Sequence, residues 1–192
     1  EAARPNFPSI LLELLSHQNF YEMKFELDPR FRFDVSRSIY KGMLKFLSAQ
    51  YGFDYVVQPL PPTNFATKLN QNGELTLSWK AQVDSFESSA SAEKFILYTR
   101  QDDAGFDNGK IIESNNIKLN ELKPGIIYSY KVTALNSGGE SFPSEILSAC
   151  WMKNSSEPIL IVNGFDRISA PASFESPAFL GFTNFEDEGV PD

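Results

Sequence analysis

The sequence predicts a mixed fold: a central all-β sandwich, preceded by an α/β piece (a strand plus a long helix) and followed by the start of another α/β segment. Three observations predict it. Across residues 63–150, short runs alternating apolar and polar residues are separated by turn residues, about seven strands in some ninety residues. Before them, Val35, Ile39, Met43, Phe46 and Leu47 recur at helical spacing. After them, Ile159, Leu160, Ile161 and Val162 run together into Asn163-Gly164, as at the first buried strand and turn of an α/β domain. The boundaries fall at 1–56, 57–151 and 152–192, the last reading either as the start of a further α/β domain or as an extended tail packed on neighbours.

Composition bounds the function classes. Of 192 residues, 42% are apolar and 14% aromatic, enough to bury a core, so the chain as a whole is not disordered. The net charge of −8 and pI near 4.8 argue against a nucleic-acid partner, which needs a basic face. From residue 157 onward, seven carboxylates face Arg167 alone. The single cysteine, Cys150, permits no intrachain disulfide. No apolar run approaches the ~20 residues of a spanning helix, and no signal peptide is visible.

Residues 8–15, P-S-I-L-L-E-L-L, form an apolar run interrupted by Glu13. A carboxylate inside a buried strand is costly unless paired or used. The run therefore reads either as a strand with a working Glu13 or as an amphipathic helix with Glu13 on its wet side. Asp28-Pro29 then starts a clear helix, with an acceptor at the cap and proline in the first turn. Gly52 suits its end. Arg37, Lys41 and Lys45 mark a solvated face.

Pro59, Pro61 and Pro62 stop any helix and make a stiff extended connection. The sandwich follows. Asn72-Gly73 is a turn, and residues 74–80 alternate with Leu75, Leu77 and Trp79 on one face. Residues 94–100 read as the third strand, 105–112 and 116–119 as the next two, and 145–150 as the last. Pro124-Gly125 is a turn signal. After it Tyr128, Tyr130, Val132 and Ala134 face a core, while Ser129, Lys131 and Thr133 face water. Asn136-Ser137-Gly138-Gly139 breaks that strand. Residues 101–108 cluster oxygens but lack the calcium-loop pattern with its terminal Glu, so they read as an ordinary turn. Residues 85–93 are a polar loop able to touch a ligand.

The Leu-x-Pro-Gly turn, the Tyr three residues after that Gly, the alternating strand and the Asn-Ser-Gly-Gly turn resemble the end of a fibronectin type III domain. The opening P-P-T-N-F-A at residues 61–66, Trp79 and Tyr98 are similar to that family too. The resemblance implies that Tyr128 is a corner tyrosine whose hydroxyl ties its strand to the preceding crossover. Function does not follow from this fold.

Residues 7–50 resemble the C-terminal end of a zinc-dependent N-acetylmuramoyl-L-alanine amidase. There a Pro-x-x-Leu-x-Glu strand is followed by Asn six residues after the Glu, then by a closing helix containing Ala-Ile-x-x-Gly-Ile. Glu13, Asn19 and residues 38–43 fall on those positions. Leu15 departs from the pattern, which has Gly two residues after the Glu, and Ser16 replaces an aromatic. The resemblance implies that Glu13 is catalytic, handling a proton beside a zinc-bound water. The zinc ligands would lie in the intact parent, upstream of this chain, whose only histidine is His17.

Residues 162–171 faintly resemble the start of a third domain in large secreted bacterial envelope proteins, some of them polysaccharide lyases. The expectation is thus a fragment of a multidomain parent. That parent would hydrolyse the amide between N-acetylmuramic acid and L-alanine, with Zn²⁺ as cofactor and peptidoglycan or another envelope glycan as partner. It would be secreted, periplasmic or at the cell surface. The alternatives are a non-catalytic surface glycan-binding protein and a lyase-like enzyme with its chemistry in a missing C-terminal domain. This fragment alone is expected to be inactive.

Overall fold

The computed structural model describes residues 6–153, 159–162 and 170–182. The chain divides into two units: residues 44–160, and residues up to 43 together with those from 161 onward.

In the first unit the strands run in order as β1 (Thr63–Leu69), β2 (Leu75–Lys80), β3 (Lys94–Gln101), β4 (Lys110–Ile112), β5 (Asn116–Leu119), β6 (Ile127–Asn136), β7 (Gly139–Glu140) and β8 (Leu147–Cys150). One antiparallel sheet has the order β1-β2-β5. The other has the order β4-β3-β6-β7, with β8 also paired to β6. Period-two alternation turns one face of each sheet inward. Leu75, Leu77 and Trp79 of β2 meet Phe95 and Leu97 of β3 and Tyr128, Tyr130, Val132 and Ala134 of β6. Trp79 lies edge-on to Phe95 at 5.5 Å between ring centres and 6.4 Å from Phe65.

The predicted core faces of β2 and β6 are the observed ones. The outer face of β6 is not in water throughout, however. Ser129 and Thr133 are buried, because β6 is an interior strand whose outer side chains meet those of its neighbours. Ser129 Oγ lies 2.9 Å from Ser148 Oγ, and the Thr133 hydroxyl donates to Glu140 at 2.7 Å. The strand expected over 105–112 begins only at Lys110, since the preceding residues form a turn.

The second unit contains α1 (Phe20–Glu26), most of α2 (Pro29–Tyr51), and a hairpin of β9 (Ser173–Glu175) and β10 (Leu180–Phe182). Asp28 accepts from the Arg30 amide at 2.9 Å and pairs with its guanidinium at 2.8 Å, which holds its carboxyl below the usual aspartate range. At the far end of α2, Gly52 takes φ +70°, and its amide closes the last turn onto Ser48. Phe20 packs against Phe182 at 5.2 Å between ring centres, and Lys24 pairs with Glu175.

Neither flanking strand forms where it was expected. Residues 8–16 have no regular structure, and Ile10 is 77% exposed. Residues 159–162 are likewise irregular, with Ile159 90% exposed, and Asn163-Gly164 lies outside the described residues. The reason is common to both. A strand's backbone donors and acceptors need a neighbouring strand, and among the described residues none pairs with either run.

Candidate functional site

The residues singled out for chemistry are not brought together. Glu13 is exposed on an irregular segment rather than held on a strand. His17 is exposed in a turn. Asn19 is occupied as the cap of α1: its Oδ1 accepts from the Tyr21 amide at 3.1 Å, and its Nδ2 donates to Glu22 at 3.0 Å. Glu22 in turn accepts from the Ser16 amide at 2.7 Å. Among the described residues no group of three His, Cys, Asp or Glu side chains can hold a metal, so zinc does not fit here and no step runs through it.

The backbone of this segment is unusual at one residue. Leu15, at the position where the amidase pattern has Gly, takes φ +58°, a left-handed conformation that favours glycine.

Two of the three carboxylates in the oxygen-rich residues 101–108 are taken up by backbone amides. Asp107 accepts from the amides of Thr99 (3.1 Å) and Gly109 (3.0 Å), and Asp102 from that of Ile127 (3.0 Å). The loop is a turn built by its own side chains. Above it on the outer sheet face, the Phe106 ring has the Lys131 ammonium 4.5 Å and the Arg100 guanidinium 5.2 Å from its centre. Tyr98 donates to Glu140 at 2.7 Å. That hydrogen bond, then burial and the carboxylate's charge, push the phenol up to about 12.

What the structure does assemble is a pair of anchorages where the chain joins and leaves the sandwich. On the joining side, the Val57 amide donates to Ser89 Oγ at 3.2 Å, and its carbonyl accepts from Asn136 Nδ2 at 2.9 Å. The same Asn136 amide group reaches the carbonyls of Ser89 (3.0 Å) and Ser91 (3.2 Å). The Val57 side chain is 0% exposed. Gly138 lies so close that a β-carbon there would sit 2.2 Å from the Val56 carbonyl oxygen. On the leaving side, the Trp151 indole covers Gly73 and donates to the Gln71 carbonyl at 3.2 Å, while the Trp151 carbonyl accepts from the Gly125 amide at 2.8 Å.

The corner tyrosine is in place. Tyr128 is buried, and its hydroxyl accepts from the Lys123 amide at 3.2 Å, tying β6 to the crossover before it. With the two sheets, Trp79 in the core and this tie in view, the family comparison is decisive: residues 60–149 match the fibronectin type III domain family. Residues 60–149 are a fibronectin type III domain.

The chain is 31% identical to human myomesin-2 in an alignment of 113 residues that covers 56% of this chain but only 7% of that protein. Among solved structures, the twitchin kinase region of C. elegans aligns over 53% of this chain and 18% of its own, at 16% identity and a TM-score of 0.45. The chicken CNTN1 FN1–FN3 domains align over 51% and 33%, at 22% identity and a TM-score of 0.43.

Sequence reasoning found Tyr128 and Trp79 of this fibronectin type III domain but missed Asn136 and Gly138. A signal for Asn136 was available. It continues the even-numbered, core-facing set of Tyr128, Tyr130, Val132 and Ala134, and a polar side chain there must find partners.

Proposed function

We propose that this chain contributes a non-catalytic spacer, the fibronectin type III domain setting distance and direction between segments that precede and follow it in a longer protein. The observation that carries this is the placement of the two anchorages at opposite ends of β6. Val57 is held at Asn136, the last residue of that strand, and β8 runs antiparallel so that Cys150 lies opposite Ile127, the first. Ten residues of strand separate these points by roughly 30 Å. The test is a swap in the longer protein. Replacing residues 57–151 with an unrelated sandwich of similar end-to-end length should preserve the parent's activity, and deleting them should not. If the swap abolishes activity as deletion does, the domain contributes a specific surface and the spacer reading fails.

The amidase-like parent stands as a second reading, resting on the spacing of Glu13, Asn19 and residues 38–43. On this reading the parent is a zinc enzyme of the periplasm or cell surface that cuts peptidoglycan, and this chain supplies Glu13. Glu13→Gln in the intact parent should lower peptidoglycan cleavage by ~10²–10⁴-fold with zinc content intact. Activity within about twofold of the parent would remove the catalytic role. Absence of both zinc and cleavage in the intact parent favours a non-catalytic glycan-binding surface protein.

A further inference from the structure

We infer that the residues around Val57 form a releasable strap, a second state of the linker that opens while the sandwich stays folded. The inference rests on the spacer reading and concerns how that spacer is stiffened. Val57 is buried yet lies outside the continuous core of Trp79, Phe95, Tyr130 and their neighbours. Among the described residues, its backbone bonds to Ser89, in the turn of residues 88–90, and to Asn136, the last residue of β6, with Gly138 of the β6–β7 connection packed close beside it.

Pro59 is fully buried and fixes its own φ, so the pivot belongs just before it and the chain upstream of Pro59 is the part that swings. With Val57 held, the approach to the domain has one direction. With Val57 out, it pivots. Such a local opening lies below the global unfolding free energy because it exposes one aliphatic side chain and a few hydrogen bonds rather than a sheet.

The slot is also shaped for this segment. Gly138 does not take a left-handed φ, so its lack of a side chain answers to space rather than to backbone conformation. The atom that fills that space is the Val56 carbonyl oxygen. Gly138→Ala therefore acts on the strap and leaves the conformation of the turn itself unstrained.

The experiment is amide-resolved hydrogen exchange on the full chain. In Gly138→Ala, the Val57 amide should exchange about tenfold faster or more, roughly the loss of one hydrogen bond's protection. The β6 amides of Val132 and Ala134 should stay within about twofold of the parent. An unchanged Val57 amide overturns the strap. So does acceleration of Val57 and the β6 amides in step, because the segment then opens only with the whole sandwich. Should Gly138→Ala fail to fold, Ser89→Ala removes the acceptor of the Val57 amide, together with the Ser89 hydroxyl's own bond to Glu87, and is judged by the same two comparisons. The domain swap reads the spacer role whatever the strap does, so either proposal can fail alone.

Discussion

Removing the hydroxyl of Tyr128 tests the register of β6 at one atom. Tyr128→Phe keeps the ring, which is buried and stacked at 12° on Tyr130 with centres 6.5 Å apart. It deletes only the acceptor of the Lys123 amide. A net intramolecular hydrogen bond contributes about 0.5–1.5 kcal/mol. Because Lys123 is exposed, water can take over its N–H, and the cost belongs near the middle of that range, about 1 kcal/mol. With a urea m-value of about 1–3 kcal/mol/M, the midpoint should fall by roughly 0.3–1 M. Urea unfolding of the full chain followed by tryptophan fluorescence reads it, since both tryptophans, Trp79 and Trp151, lie in the unit of residues 44–160. An unchanged midpoint with unchanged slope would mean that the hydroxyl holds nothing. A loss above about 3 kcal/mol would mean the ring itself has been displaced.

Trp79→Ala should cost ~3–5 kcal/mol, since it empties the centre of the core; a melting temperature within a degree or two of the parent refutes the core assignment. Tyr98 links the outer face to pH. Its folded pKa of about 12 lies above the ordinary 10.0, so the stability it contributes is intact below pH 10 and lost as pH rises from 10 through 12. Glu140→Gln should bring the Tyr98 titration, followed by NMR of labelled tyrosine, back towards the ordinary range; an unmoved titration removes Glu140 as the cause. Leu15→Gly should relieve a left-handed backbone worth ~1–2 kcal/mol, offset partly by the freedom glycine regains when unfolded. Helix melting at 222 nm should therefore stay level or rise slightly. A fall equivalent to more than about 1 kcal/mol means that Leu15 is held by packing rather than strained.

Much of the fibronectin type III domain is legible because its signals are local. Alternation along Tyr128–Ala134 and Leu75–Trp79 picks the core face of two strands, and Asn72-Gly73 and Pro124-Gly125 place the turns between strands. Asp28-Pro29 and Gly52 bound a helix for reasons of capping alone. Such rules need only neighbours in sequence, and the structure keeps each of them.

Only the tertiary structure decided the rest. Ser129 and Thr133 look solvent-facing from the period of two, but strand order puts β6 between neighbours and buries them. Glu13 sits in a run apolar enough for a strand, yet a strand is a paired object and the described residues supply no partner. Asn136 and Gly138 read as turn residues until Val57, 79 positions before Asn136, arrives between them and the turn of residues 88–90. The sequence by itself determined which residues prefer to be strand, helix, turn or core. Which polar groups share a partner was settled by contacts distant in sequence, because a buried hydrogen bond belongs to two segments and neither encodes the other's position.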